Sequence, residues 1–170
     1  MNLYFRLLLV LLRASFGQRL GALDTSRVSF RVWPNDLDVN LHMNNGRYAT
    51  LMDLGRLDLM ARAGLLRAIR RQRLMPVVTA QHLSYRRSLE PFRSFTLETR
   101  VLGWDERSIV LEQRFLCMGE VFATGHVQSL FLGPGGRRPT SEIVELFGIE
   151  GERPVPDDLH RLFPPRAHGA

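Results

Sequence analysis

The sequence contains one long helical pattern, with one strand-like segment before it and four strand-like segments after it. From Asn45 onward apolar residues recur every three to four positions, Asn44 or Asn45 is a natural N-cap, and Gly64 lies near the end. The pattern predicts one helix of roughly 20 residues. A sheet built from the surrounding strands has this helix as its natural packing partner.

The segments on either side of this helix have residue patterns typical of β-strands. Residues 27–33 alternate polar and apolar side chains before Pro34 and Asn35, as a half-buried strand does. Four further β-branched or aromatic-rich segments, joined by short polar turns, span residues 77–85, 94–102, 108–118 and 121–132. We therefore predict an α+β domain in which an antiparallel sheet of about five strands wraps around the central helix.

Length and composition narrow the possible functions. A chain of 170 residues is the size of one domain and can bury a substantial core. The single cysteine, Cys117, excludes an internal disulfide framework and a multi-cysteine zinc site. All 23 basic residues are arginine, and the net charge of +6 favours anionic partners. Arginine suits phosphate recognition, although a genome biased toward arginine codons gives the same composition. The arginine-and-aromatic array of nucleic-acid readers is absent, so nucleic acid is not expected as a partner.

Residues 1–21 form a segment ahead of the predicted domain, which spans residues 22–140. The uninterrupted apolar run at residues 7–12 is too short to cross a bilayer, which needs about 20 residues. At helical spacing one face collects Leu3, Leu7, Val10, Leu11 and Ala14, and a narrow polar stripe collects Asn2, Arg6 and Arg13. This amphipathic helix either docks on its own domain or a partner, or lies on a membrane surface. For residues 141–170 we predict a short helix followed by a proline-rich tail.

Residues 35–48 carry the densest polar chemistry of the chain. They place two carboxylates, four asparagines and one histidine between the first strand and the start of the long helix. A helix N-terminus presents unpaired N–H groups and a positive dipole end, which suit a developing oxyanion. A carboxylate just upstream can activate water or attack a carbonyl, and a histidine can position substrate or share in proton transfer. The same residue types form turns and caps, and we expect a turn role for Asp36 and a cap role for Asn44.

This segment resembles the active-site signature of hotdog-fold thioesterases of the 4-hydroxybenzoyl-CoA thioesterase class, in which an aspartate follows the first strand and a tyrosine lies in the central helix. Asp38 and Tyr48 stand in that relation. The segment is also similar to the Asp-x-Asn-x-His-Val-Asn-Asn motif of plant acyl-ACP thioesterases, with Met43 replacing the valine. The run 40–45 and the hydrophobic N-terminus most resemble the thioesterase superfamily member 6 group. The resemblance covers about residues 26–132 and implies the hotdog fold.

The resemblance also implies roles for individual residues. Asp38 corresponds to the catalytic carboxylate, acting as nucleophile or as general base. Asn40 and His42 correspond to a polar pair that orients water and substrate. The backbone N–H near Asn45 corresponds to the group that polarises the thioester carbonyl, and Tyr48 is expected beside the substrate.

A second resemblance lies in residues 82–91, which are similar to the strand and turn that line the substrate channel of this fold. Arg86 and Arg87 are expected to alternate across a strand, so at most one points toward the pocket. Contact with a phosphate or the pantetheine end of a substrate is one role for them, and a surface position is the other. The plant enzymes carry a further acid where this chain has Ser88, and Glu90 is close enough in sequence to replace it.

These features together predict a hydrolase that cleaves an acyl-CoA or acyl-ACP thioester. The thiolate is a good leaving group, so no metal is needed, and coenzyme A enters only as part of the substrate. The resemblance implies a homodimer or tetramer whose pockets are lined by two chains. We expect a cytoplasmic protein, associated with membranes if the N-terminal segment contacts them.

Two other functions compete with hydrolysis. The first is a hotdog protein that binds acyl chains or lipids without turnover. The second is a hydratase, which is disfavoured because Asp53 is followed by Asp58 instead of by the histidine of the usual Asp-x-x-x-x-His spacing.

Overall fold

The computed structural model describes residues 3–163; residues 1–2 of the N-terminal segment and residues 164–170 of the proline-rich tail lie outside the described residues. The helices are α1 (Leu3–Phe16), α2 (Asn45–Arg62), α3 (Leu65–Arg71), α4 (Thr140–Leu146) and α5 (Asp157–His160), with one 3-10 turn at Pro34–Asp36. The strands are β1 (Ser26–Arg31), β2 (Met75–Tyr85), β3 (Ser94–Trp104), β4 (Ile109–Cys117), β5 (Glu120–Gly133) and β6 (Gly136–Arg138).

Five long strands form one antiparallel sheet in the order β1-β3-β4-β5-β2, and the short β6 pairs with the end of β5. The long helix α2 packs on this sheet, which confirms the predicted α+β hotdog arrangement. Among the described residues β1 and β2 each pair on one side only, so they are the two edge strands of the sheet. Helix α2 begins after Asn44, whose side chain caps it by accepting from the N–H of Gly46 at 2.8 Å.

Helix and sheet approach each other closely at Gly55. A Cβ atom at this position would lie 2.6 Å from the hydroxyl oxygen of Thr99 and 2.8 Å from a methyl group of Leu97. Gln113 joins the two layers beside this contact, because its Nε2 donates to the carbonyl of Met52 and to the Thr99 hydroxyl, both at 2.9 Å. A fully buried amide with its bonds made fixes α2 on the sheet.

Two groups of buried side chains lie along α2. The first surrounds its N-terminal half and includes Tyr48, Leu51, Phe95 and Phe115. The second surrounds its C-terminal half and includes Leu59, Ile109, Phe131 and Ile143. The C-terminal residues after β6 therefore help to close the second half of the core.

Helix α1 docks on the domain alongside α2. Val10 and Ala14 are buried, and Leu3 and Leu7 pack against the core, as the predicted apolar face requires. Where the chain leaves α1, the carbonyl of Gln18 accepts from Arg62 Nε at 2.9 Å, close to the end of α2. No helix within residues 3–163 combines the length and the hydropathy that crossing a bilayer requires.

Candidate active site

The polar segment before α2 folds into a small closed loop. Leu37 and Met43 face each other as an isolated antiparallel bridge. Between them the N–H of Asp38 donates to the carbonyl of His42 at 2.9 Å, and the N–H of Leu41 donates to the carbonyl of Asp38 at 3.1 Å. Leu41 adopts a left-handed backbone with φ of 58°, which lets the chain reverse within so few residues.

The Asp38 carboxylate is held by the backbone of this loop. Its Oδ1 accepts from the N–H of Asn40 at 2.9 Å and from the N–H of His42 at 3.4 Å. The side chain is half-buried, so it is oriented by the loop and still reached by solvent. A carboxylate held in this way can accept a proton from water or approach a carbonyl carbon.

The other residues of the motif lie on the outer surface of the same loop and helix start. Asn40, His42 and Asn45 are exposed. Asn45 is the first residue of α2, and helix geometry leaves the N–H groups of a first turn without intrahelical partners. The Asn44 cap takes the N–H of Gly46. The structure thus brings Asp38, Asn40, His42 and the Asn45 backbone together at one end of α2.

Tyr48 lies in the core instead of on the accessible surface. It is 2% exposed, and its ring makes edge contacts with Tyr85 and Phe115 at centroid distances of 5.0 and 4.8 Å. Burial raises the pKa of Tyr48 to about 12, although a hydrogen bond with the backbone of Leu89 acts in the opposite direction. Through these two ring contacts Tyr48 packs the first turn of α2 against β2 and β4.

Arg86 and Arg87 follow the end of β2 and do not alternate across a strand as expected. Both N–H groups donate to the carbonyl of Phe122, at 2.8 and 3.1 Å, so the chain turns at this point. Both side chains are exposed. The Arg87 guanidinium pairs with Glu120 and lies 5.9 Å from the centre of the Phe122 ring, which gives it a surface role.

Asp36 is a turn residue, as expected, because it ends the 3-10 turn at Pro34–Asp36, and it is also a buried charge that anchors α1. Its Oδ2 accepts from Arg6 Nη2 at 2.5 Å and from the N–H of Trp33 at 2.9 Å, and its Oδ1 accepts from Arg6 Nη1 at 3.2 Å. Arg47 Nε lies 3.7 Å from Oδ1. Arg6, placed by the sequence in the polar stripe of α1, therefore faces the domain. A lone arginine inside an otherwise apolar stretch is the signal that could have indicated a buried partner.

Asp36 also connects α1 to the start of α2. Its backbone carbonyl accepts from the N–H of Asn44, the cap residue, at 2.8 Å. The N–H of Met43 donates to the carbonyl of Leu89 at 2.9 Å, which ties the loop to the segment after β2. Helix α1, the Asp38 loop and the first turn of α2 thus form one connected unit.

An apolar slot that the sequence did not indicate lies under the C-terminal half of α2. It has a volume of about 330 Å³ and is enclosed by α2, the sheet and the residues after α4. Leu57, Met60 and Leu111 are among its walls, and Arg56 and Asp53 stand at its side. Burial lowers the pKa of the Arg56 guanidinium, although the nearby Asp53 carboxylate raises it.

Within residues 3–163, no three histidine, cysteine or acidic side chains come together in a way that could hold a metal ion.

A family model and curated relatives match this chain. The model of the thioesterase-like superfamily matches residues 32–159. Protein THEM6 of Danio rerio is 39% identical over 120 residues, which are 70% of this chain and 59% of the relative. Protein THEM6 of Xenopus laevis is 36% identical over 98 residues, which are 58% of this chain and 47% of the relative. The matches therefore span about half of the length of these relatives.

Solved structures share the fold. The probable thioesterase YbaW from Escherichia coli superposes with a TM-score of 0.67 at 20% identity, covering 71% of this chain and 94% of that one. The gentisyl-coenzyme A thioesterase BH1999 superposes with a TM-score of 0.61 at 19% identity, covering 72% of this chain and 99% of that one. Since the family model covers most of the chain and the sheet wraps a single central helix, the chain belongs to the thioesterase-like superfamily and has the hotdog fold.

Proposed function

We propose that this protein hydrolyses an acyl thioester at the N-terminus of α2, with Asp38 as general base or nucleophile. The observation that supports this most directly is the Asp38 carboxylate, oriented by two backbone N–H groups next to the start of α2. Membership of the thioesterase-like superfamily supports the same chemistry.

In the proposed reaction the thioester carbonyl oxygen accepts from the backbone N–H at Asn45, where the helix dipole stabilises the developing negative charge. Asp38 takes a proton from water, and the water oxygen adds to the carbonyl carbon. The tetrahedral intermediate then collapses, breaks the carbon–sulfur bond and releases a carboxylic acid and a thiolate. Alternatively a carboxylate oxygen of Asp38 attacks the carbonyl carbon, the carbon–sulfur bond breaks and the thiolate leaves. Water then hydrolyses the resulting mixed anhydride to the carboxylic acid and the free Asp38 carboxylate. Asn40 and His42, both exposed on the loop, orient the water and the substrate.

The proposed substrate is an acyl-CoA or an acyl-ACP. Both present an anionic phosphopantetheine to a protein with a net charge of +6. Arg86 is exposed at the turn after β2 and is a candidate contact for a substrate phosphate, whereas Arg87 is engaged with Glu120. Coenzyme A would act as part of the substrate and not as a separate cofactor.

The proposed assembly is a homodimer, or a tetramer built from it, joined through the edge strand β2. This strand exposes Met75, Val78 and Tyr85 and leaves one side unpaired within the described sheet. A second copy pairing along that edge would extend the sheet. Sedimentation equilibrium should give twice or four times the chain mass of 19.5 kDa, and a single chain mass would contradict this proposal.

We further propose a cytoplasmic location with peripheral membrane contact through α1. While one face of α1 docks on the domain, the opposite face exposes Phe5, Leu8, Leu9, Leu12 and Phe16. An apolar helix face held at the surface in this way is typical of proteins that lie on a membrane.

The second candidate function is an acyl carrier without turnover. It is favoured by the position of Glu90, the only nearby replacement that the sequence offered for the second acid of the plant enzymes. Glu90 is exposed and bonded to Arg93 Nη2 at 2.5 Å. In the segment before α2 the Asp36 carboxylate is buried against Arg6, which leaves Asp38 as the accessible acid there; with an apolar slot, such a protein could retain an acyl group without releasing it.

A panel of acyl-CoA esters with a thiol-trapping dye distinguishes the two functions. The wild-type protein should release thiol, and Asp38→Asn should lower kcat/KM by about 10²–10⁴-fold. Asp24→Asn is the matched control, since the bonds that Asp24 makes among the described residues lie within the loop before β1, to Gly21. Activity that survives in Asp38→Asn would contradict the assigned role. Stoichiometric acyl binding by a wild-type protein that releases no thiol would support the carrier.

A further inference from the structure

We propose that the groove between α1 and the free edge of β1 binds an extended acidic peptide of a partner protein, which adds a strand to the sheet. This inference goes beyond the proposed hydrolysis and does not depend on it. The groove has a volume of about 540 Å³ and is lined by residues of α1, of β1 and of the adjoining chain. It is separate from the Asp38 loop and from the apolar slot.

The edge of β1 that faces α1 carries free backbone groups. Directly after β1, the N–H of Val32 donates to the carbonyl of Arg93, which precedes β3. Because backbone groups alternate in direction along a strand, those of Ser29 and Arg31 point away from β3. The Arg31 carbonyl agrees with this direction, since it accepts from Arg6 Nη2 of α1 at 3.0 Å. Both groups of Ser29 and the N–H of Arg31 are therefore available to an added strand.

Helix α1 forms the opposite wall of the groove. It packs on α2 more extensively than on β1, which leaves space beside the strand edge. Arg6, Leu9, Val10 and Arg13 line the groove, and their spacing places them on one face of the helix. From Arg6 to Arg13 the helix rises by about 10 Å, which is the length of about three residues of extended peptide. A helix beside a free strand edge is the arrangement in which several domains bind peptides by strand addition.

The charges along the groove favour an acidic peptide. Arg13 is exposed and makes no ion pair or hydrogen bond within residues 3–163. Arg31 is also exposed, and its Nε makes only a long bond of 3.4 Å to the Ser94 hydroxyl. The lining contains no acidic side chain among the described residues. Two arginines with little to neutralise them would attract carboxylates of a partner.

The alternation of side chains in β1 defines the residue pattern of the peptide. Val28 and Phe30 point into the core on the side where the helices pack, and Ser29 and Arg31 point to the other face of the sheet. A strand paired with β1 shares this alternation. Peptide residues opposite Ser29 and Arg31 should therefore be acidic. Those opposite Val28 and Phe30 should be apolar, because they meet the side of α1 where Leu9 is 44% exposed.

A lipid is the other occupant that two arginines and an apolar helix face would admit. Its alkyl chain would cover the free backbone groups of Ser29 and Arg31 without bonding to them. Burying an unpaired N–H or carbonyl is unfavourable, whereas a peptide strand pairs the same groups. The strand edge thus favours a peptide over a lipid.

The first test measures the charge requirement. The probe is a fluorescein-labelled synthetic peptide of alternating glutamate and valine, and binding is followed by fluorescence anisotropy. The double variant Arg13→Glu, Arg31→Glu should weaken binding by about tenfold or more, because attractive pairs become repulsive ones. Arg71→Glu with Arg137→Glu makes the same change in net charge on α3 and β6 and is the matched control. No binding by the wild-type protein, or equal weakening in both double variants, would overturn the proposal.

The second test asks whether the peptide bonds to the edge of β1. Ser29→Pro removes the N–H that points away from β3 and leaves the β1–β3 bonds in place, so binding should weaken by about tenfold. Ser29→Ala keeps the N–H and should bind normally. Melting temperatures verify that both variants are folded. Undiminished binding by a folded Ser29→Pro protein would overturn strand addition.

The same requirement can be tested from the peptide side with the wild-type protein. If the peptide pairs antiparallel to β1, as the strands of the sheet do, the N–H groups of the residues opposite Ser29 and Arg31 point toward β1. A peptide N-methylated at its glutamates should then bind about tenfold more weakly than one N-methylated at its valines. Equal affinities of the two N-methylated peptides would overturn the proposed pairing.

The third test locates the bound peptide and separates it from a lipid. In the presence of the peptide, hydrogen exchange measured by NMR should slow at the amides of Ser29 and Arg31. Decanoate, added in place of the peptide, should not slow exchange at these amides. Unchanged exchange with the peptide would overturn the proposal. Decanoate binding that is lost in the Arg13→Glu, Arg31→Glu variant, together with such unchanged exchange, would assign the groove to a lipid instead.

Discussion

Arg6 of α1 and Asp36 before the candidate catalytic loop form an almost fully buried ion pair, in which both guanidinium Nη atoms donate to the carboxylate at 3.2 and 2.5 Å. Arg6 Nη2 also donates to the carbonyl of Arg31 at 3.0 Å. The pair joins the N-terminal helix to the segment that holds Asp38, so the position of α1 and the order of the loop depend on the same contact.

Removing one partner of this pair should be strongly destabilising. Asp36→Asn or Arg6→Met leaves a buried charge without its partner, and the free energy of unfolding should fall by about 3–5 kcal/mol. The double variant should recover part of this loss, which denaturant unfolding would measure. Arg87→Ala breaks an exposed pair and serves as control, with an expected change of about 0–1 kcal/mol. Equal losses in Arg87→Ala and Asp36→Asn would contradict the anchoring role.

The outer face of α1 should govern membrane binding. A variant carrying Leu8→Ser and Leu12→Ser should bind anionic vesicles at least about tenfold more weakly, because both leucines are about half exposed and inserting their exposed parts is worth about 1.5 kcal/mol or more in total. Vesicle flotation measures the bound fraction. Val39→Ser, which changes an exposed valine that is not part of α1, should leave binding unchanged. Undiminished binding in the double variant would rule out this face as the contact.

Gly55→Ala should destabilise the protein despite the better helix propensity of alanine. The added methyl would lie 2.6 to 2.9 Å from atoms of Thr99, Leu97 and Gln113. Overpacking of this kind costs about 1–3 kcal/mol, whereas propensity alone predicts a gain of about 1 kcal/mol. Thermal or denaturant unfolding measures the change in the free energy of unfolding. A decrease supports the close approach of α2 to the sheet at Gly55, and an increase contradicts it.

Tyr48 should lose its hydroxyl proton only at strongly alkaline pH, because burial raises its pKa to about 12. A folded-state pKa above the ordinary value of 10.0 means that the unfolded chain loses this proton first. The associated stability is complete below pH 10 and is lost as the pH rises toward 12. Absorbance titration and alkaline unfolding should both show this step in the wild-type protein. Tyr48→Phe should remove it; a step that persists in the variant would assign it to another residue.

The succession of strand and helix patterns was sufficient to predict the fold. Periodicity and turn chemistry are local properties, so α2, its Asn44 cap and the order of the long strands follow from short stretches of sequence. The same reasoning identified the loop that contains Asp38, because a polar segment between a strand and a helix start is visible in the chain itself.

Only the tertiary structure distinguished the roles of similar residues. Asp36 and Asp38 are two positions apart, yet one is buried against Arg6 from a distant helix and the other is half-exposed on a loop. The backbone N–H groups of Arg86 and Arg87 both donate to the carbonyl of Phe122 because the chain turns there. The sequence pattern had predicted instead that the two side chains alternate across a strand. The slot is formed by α2, the sheet and the C-terminal segment together. Burial, ion pairing and cavities depend on contacts between residues far apart in the chain, and a local sequence pattern does not specify which distant residues make them.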